Sequence, residues 1–220
     1  MKRDGTEHGD FARLGYCVIP QLVPEPARAF VYEYALKSVR AGKLDPGDQY
    51  VPNSPCRYAD PMMEALLKVL LPRIAAETRL PLWPTYSYFR VYQHGAVLNA
   101  HRDRASCEVS VTLNLGHDAD APWPFWIETE GGRTSVELEP GDGMVYKGVE
   151  IRHWRNAFTG SRSVQVFLHY VDQNGPYREW KFDRRAALAI SLAAERSIEM
   201  LMARSESNAH DGRSDVSAAT

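Results

Sequence analysis

Two His-x-Asp triplets stand in the chain, His8-Gly9-Asp10 and His101-Arg102-Asp103, and each offers an imidazole nitrogen and a carboxylate oxygen to a metal ion. With seven histidines in 220 residues one such match is unremarkable, so context decides between the copies. His8 lies in a polar N-terminal stretch with no scaffold around it. His101 follows the alternating run YSYFRVYQ by a short loop and precedes another, EVSVTLNL. Residues i and i+2 of extended backbone share a face, so a loop at a barrel mouth can aim His101 and Asp103 at one point. The candidate third ligand is His153, fifty residues after Asp103 and just past a PGDG turn and a short MVYKG strand. Two imidazoles and one carboxylate make the facial set that leaves three positions open on Fe(II). Nine residues further, Arg162 opens the last strand, and its planar guanidinium can clamp a carboxylate through two parallel hydrogen bonds.

The elements that must position these groups can be read from pattern. GYCVIP, residues 15–20, is a short β run stopped by proline. Pro24 and Pro26 suit a helix start, after which Ala27, Phe30, Val31, Tyr34 and Ala35 recur at helical spacing towards a stop at Gly42. Asp60-Pro61 begins a second helix as N-cap and first-turn proline, with Met62, Leu66, Leu67, Leu70 and Leu71 on its apolar face and Pro72 as a kink or break. From residue 85 the period becomes alternating. Strands are expected at 86–93, 108–115, 125–129, 134–138, 143–146 and 163–171, which suggests a barrel or a two-sheet jelly roll. A C-terminal helix is expected over 184–204, burying Leu188, Leu192, Ile198 and Met202. Residues 1–10 and 205–220 read as flexible tails around one domain, 11–204, with its β core at about 85–171.

Composition narrows the function classes. An apolar fraction of 44% supports a sizeable core, and 26 basic against 28 acidic residues give no reason to expect a nucleic-acid or anionic-membrane partner. Cys17, Cys56 and Cys107 form no CxxC pair, which argues against a disulfide framework or a cysteine zinc site and favours a reducing compartment. No apolar leader and no run of eighteen apolar residues occurs, so a cytoplasmic location is the expectation.

HRD at 101–103, then His153, then Arg162 within GSRSVQVFLHYV, resembles the Fe(II)/2-oxoglutarate-dependent dioxygenase superfamily. The opening GYCVIP followed by a Pro-Glu-Pro helix start is similar to its prolyl-hydroxylase and phytanoyl-CoA branches, and the resemblance spans roughly residues 11–171. It implies an α+β, mainly β fold, a double-stranded β-helix (jelly roll, cupin-like barrel) flanked by N-terminal helices. It further implies that His101, Asp103 and His153 hold Fe(II), and that Arg162 binds the distal carboxylate of the cosubstrate 2-oxoglutarate, with O2 as oxidant. Tyr92 and Thr112 stand where such members place further cosubstrate contacts. Alternation supports Tyr92 independently, because Tyr86, Tyr88, Arg90 and Tyr92 share one strand face opposite Phe89 and Val91. The implied reaction couples oxidative decarboxylation, giving succinate and CO2, to attack on a substrate C–H. Asp103 favours hydroxylation over halogenation, whereas desaturation or cyclisation stays open.

Around these residues, Arg102 and Arg104 are either solvated or meet an anionic substrate. Asn99, Glu108 and Asn114 are placed to orient ligands by hydrogen bonding. Trp123, Trp126 and Trp154 either wall a pocket or fill the core, and Cys107 reads as structural. A small molecule such as an amino acid derivative is the expected substrate. A protein side chain, a cupin-like hydrolase or isomerase without cosubstrate, and a metal-stabilised binding module remain as alternatives. Oligomeric state is not legible.

Overall fold

The computed structural model describes residues 11–211. A four-residue helical turn, α1 (Phe11–Leu14), leads into β1 (Tyr16–Ile19), the strand expected from GYCVIP. Two longer helices follow: α2 (Ala27–Arg40) and, after the short β2 (Cys56–Tyr58), α3 (Pro61–Thr78). Asp60 caps α3 as its sequence predicts, its carboxylate accepting from the backbone N–H of Met62 at 3.0 Å. Pro72 does not end this helix, which runs on to Thr78. Leu66, Leu67 and Leu70 before the proline and Ile74 after it are fully or almost fully buried, and that burial outweighs the hydrogen bond Pro72 cannot make.

The β region is β3 (Leu82–Gln93), β4 (Leu98–His101), β5 (Val109–His117), β6 (Phe125–Thr129), β7 (Gly132–Val136), β8 (Gly143–Lys147), β9 (Arg152–Arg155) and β10 (Arg162–Asp172). These strands form two antiparallel sheets, one ordered β1-β8-β5-β10-β3-β2 and the other β4-β9-β6-β7. Alternation along β5 explains how the layers stack. Val109, Val111, Leu113 and Leu115 join Val164, Val166 and Leu168 of β10 and the buried faces of α2 and α3 in the main core. Ser110, Thr112 and Asn114 take the opposite face, towards the small sheet and the barrel interior. The large sheet is thus apolar where helices cover it, and on its inward face it mixes these polar groups with Met144 and Tyr146 of β8 and Phe167 of β10. This is the double-stranded β-helix with flanking helices that the resemblance implied.

The C-terminal region departs from expectation. The last helix, α4, spans Leu192–Asp211 rather than beginning at Arg184. Phe182, Asp183 and Arg184 all have left-handed backbone, with φ of 54°, 55° and 60°, which no helix continues through. Beyond them Arg185 donates to the buried Glu64 carboxylate of α3 at 2.5 and 3.2 Å, and the Ala189 N–H reaches the same carboxylate. These tertiary bonds draw residues 185–189 across α3 and override helix propensity. Ile198 is buried as expected, but Leu192 is 73% exposed. The helix also extends past residue 204, where a tail was expected. Residues 1–10 and 212–220 lie outside the described residues. Among the described residues no helix is long and apolar enough to cross a membrane.

Candidate active site

His101 ends β4 and His153 sits in β9, and the two are direct cross-strand partners in the small sheet. Their rings approach to 4.3 Å between centroids. Asp103 lies in the loop just beyond β4, its backbone N–H donating to the Gly148 carbonyl at 2.9 Å. Its Oδ1 is 3.6 Å from Nε2 of His101 and 3.4 Å from Nε2 of His153. Each imidazole is turned by its other nitrogen. Nδ1 of His101 is 2.8 Å from the Asn99 carbonyl, and Nδ1 of His153 is 2.9 Å from that of Ile151. A carbonyl only accepts, so each Nδ1 carries a hydrogen and each Nε2 is turned towards the carboxylate. The three ligand atoms lie within 4.8 Å of one another. Two oriented imidazoles and one carboxylate fit a divalent iron with positions left open, and the carbonyl bonds supply the support that metal-binding histidines ordinarily have.

The second carboxylate oxygen of Asp103 is also held, accepting from the Ser110 hydroxyl at 2.8 Å. Ser110 in turn lies 3.0 Å from Nδ1 of His169 on β10. Burial favours protonation of Asp103, but the neighbouring histidines outweigh it and hold its carboxyl well below the usual range. Burial pushes His169 down to about 4, so it stands neutral. Asp103, Cys107 and His169 form a second cluster of metal-ligand type, yet Ser110 already bridges Asp103 to His169. Ser110, His169, Tyr146 and Gly148 all escape the sequence reading. Gly148 leaves the clearest trace, since a Cβ there would overlap the Asp103 carboxylate, the Cys107 carbonyl and the Ser110 hydroxyl.

A cavity of about 230 Å³ has His101, Asp103 and His153 on its wall. Tyr86, Tyr88, Arg90 and Tyr92 line one wall, the polar-aromatic face expected to point inward. Loop 43–55 contributes Asp48 and Tyr50, and the Tyr50 ring stacks at 6.3 Å on His101. Asp48 pins this loop, accepting from the Val51 N–H at 2.9 Å, the Tyr88 hydroxyl at 2.8 Å and Arg90 at 2.5 Å. Burial raises the Asp48 pKa, but these bonds outweigh it and keep the carboxyl below its usual value. Arg104 pairs with Asp183 and stacks on Tyr86, and Arg102 donates to the Glu150 carbonyl. Cys107 is buried beside the Tyr86 hydroxyl at 3.1 Å, and burial pushes its thiol up to about 12.

The remaining candidates divide. Tyr92 and Thr112 both face the barrel interior, Tyr92 on the cavity wall and Thr112 with its hydroxyl 3.5 Å from Arg155. Asn99 orients His101 through its backbone rather than its side chain. Glu108 binds the Asp172 N–H, away from the ligands. Trp123 packs against Tyr92 at 4.8 Å, whereas Trp126 and Trp154, both only half-buried, stack on each other. Arg162 does not reach inward. It shares the phase of Val164 and Val166 on the helix-packed side of β10, with 42% of its side chain exposed and Asp118 4.0 Å away. His8 and Asp10 lie outside the described residues.

No family model matches the chain, and no curated relative does either. Solved structures do. A Pseudomonas putida prolyl-4-hydroxylase aligns with a TM-score of 0.61 at 20% identity, covering 74% of this chain and 95% of that one. The non-heme alpha-ketoglutarate-dependent epimerase SnoN from nogalamycin biosynthesis aligns at 0.62 and 14% identity, covering 74% and 78%. EctD from S. alaskensis with bound Fe gives 0.61 at 15% identity over 82% and 84%. In fold, the chain is a double-stranded β-helix of the kind built by the iron- and 2-oxoglutarate-dependent oxygenases.

Proposed function

We propose that the protein is an Fe(II)- and 2-oxoglutarate-dependent dioxygenase that hydroxylates an unactivated C–H of a small molecule, such as an amino acid or its derivative, with release of succinate and CO2. The observation that carries this reading is the convergence of His101 Nε2 and His153 Nε2 on one oxygen of Asp103, each ring fixed by a backbone carbonyl. When bound, iron with 2-oxoglutarate and O2 supplies the oxidising power, and the chain supplies geometry. His101, Asp103 and His153 would hold the ion, and Ser110 fixes the free carboxylate oxygen so that Asp103 keeps one orientation. Tyr92, Thr112 and an arginine of the barrel interior would receive the cosubstrate. A cavity of about 230 Å³, with Asp48 and Tyr50 of loop 43–55 on its wall, supports a small substrate.

Metal analysis of protein reconstituted without oxygen tests the centre. Near-unit Fe(II) stoichiometry is expected, falling sharply in His101→Ala and in Asp103→Ala. Unchanged occupancy in both variants would remove the assignment. Succinate formation stimulated by one compound from a panel of amino acids, acyl compounds and peptides then tests the reaction. A response confined to peptides would replace the small molecule with a protein side chain.

A further inference from the structure

Arg155 is the most deeply buried arginine of the described residues, at 1% exposure, and among those residues it makes no ion pair. It stands two residues beyond His153 on the same inward face of β9. Trp123 and Phe125 place their rings 4.9 and 5.0 Å from its guanidinium carbon. One terminal nitrogen donates to the Trp123 carbonyl, and the other to Gln165 at 3.2 Å and, more weakly, to Thr112 at 3.5 Å. Its Nε has no hydrogen-bond partner among the described residues. A guanidinium carries five N–H donors and a full charge, and burying it beside neutral groups alone is costly. The other buried arginine of this interior, Arg90, is neutralised by Asp48. Arg162 also has a buried, unpartnered Nε, but its head meets Asp118 and its side chain is 42% exposed.

Distance supports the same residue. Side chains two apart on a strand project about 6.7 Å from each other. A five-carbon diacid has four C–C bonds of about 1.5 Å, so its ends span a comparable length when extended. We infer that Arg155, rather than Arg162, anchors the far carboxylate of the cosubstrate, with Thr112 and Gln165 orienting its fork and Tyr92 closing the pocket beside it. The inference rests on the oxoglutarate reading above. It places the anchor on β9, the strand of a metal ligand, instead of on β10.

Calorimetric titration of the iron-loaded protein without oxygen tests it, using 2-oxoglutarate and 2-oxopentanoate, in which a methyl replaces the far carboxylate. The unaltered protein should prefer 2-oxoglutarate by roughly ten- to a hundredfold. Arg155→Met should bring 2-oxoglutarate down to the affinity of 2-oxopentanoate, whose own binding changes little, and Arg162→Ala should keep the preference. Should Arg155→Met fail to fold, Arg155→Lys decides, because lysine keeps the charge and loses the fork. A preference cut several-fold in that variant supports the inference, and an unchanged preference overturns it. If the unaltered protein prefers 2-oxoglutarate and Arg155→Met keeps that preference, the anchor assignment fails alone. If the unaltered protein binds neither keto acid, the oxoglutarate reading fails with it.

Discussion

Replacing Arg185 with methionine tests what holds the C-terminal region to the barrel. Glu64 is fully buried in α3, and its carboxylate is met by two Arg185 nitrogens and the Ala189 N–H. The substitution removes the only cation of that set and strands a buried negative charge. Such a loss costs about 3–5 kcal/mol, and Arg185, with 24% of its side chain exposed, belongs at the lower end because water can follow it in. In a domain of this size each kcal/mol lowers Tm by about 2–4 °C, so a fall of roughly 6–12 °C is expected at 3 kcal/mol. Urea unfolding followed by circular dichroism measures the free energy directly. The double variant Glu64→Leu/Arg185→Met supplies the control, because replacing a buried ion pair by apolar groups is often near neutral. It should recover most of the lost stability. A single-variant loss below about 1 kcal/mol, or a double variant no more stable than the single one, would refute the claim that this ion pair closes the structure.

Two further outcomes follow from the site. Gly148→Ala should displace Asp103 and lower iron affinity at least tenfold while the helix-packed sheet keeps its unfolding transition, as metal titration beside thermal unfolding would show. Asp48→Asn should loosen loop 43–55 at neutral pH, seen as faster proteolysis there and a stability loss of about 1 kcal/mol. Because the Asp48 pKa is lowered by folding, its contribution is complete above an ordinary aspartate value near 4 and disappears as pH falls through the folded value. The difference between variant and parent should therefore shrink below about pH 4, and a constant difference would count against the carboxylate.

How far these features were legible depends on what each residue's neighbours contribute. The strands rich in Val, Leu and Phe declare themselves by alternation, and the candidate ligands His101 and Asp103 by their place beside those strands. β4 and β9, four residues each, carry too little pattern to read, although they hold two of the three candidate ligands. Arg162 is legible for a different reason, in its direction along β10. Val164, Val166 and Leu168 mark the helix-packed face of β10, and Arg162 shares their phase, so counting backwards along the strand turns it outward. The same count on β9 sends Arg155 inward with His153. The start of α4 depends on Glu64, more than a hundred residues earlier, and no local propensity contains that information.

The facing positions of His101 and His153 give the two sheets unequal duties. The large sheet is clamped by helices and takes its strength from packed aliphatic layers. The small sheet is joined at its rim by two four-residue strands, and an ion shared by their histidines would act as a rivet across that seam. Empty and loaded protein should then differ in the breathing of β4 against β9 far more than in global melting. A fold divided in this way can vary its reactive rim, including the loop that carries Asp103, without renegotiating the foundation that keeps it folded.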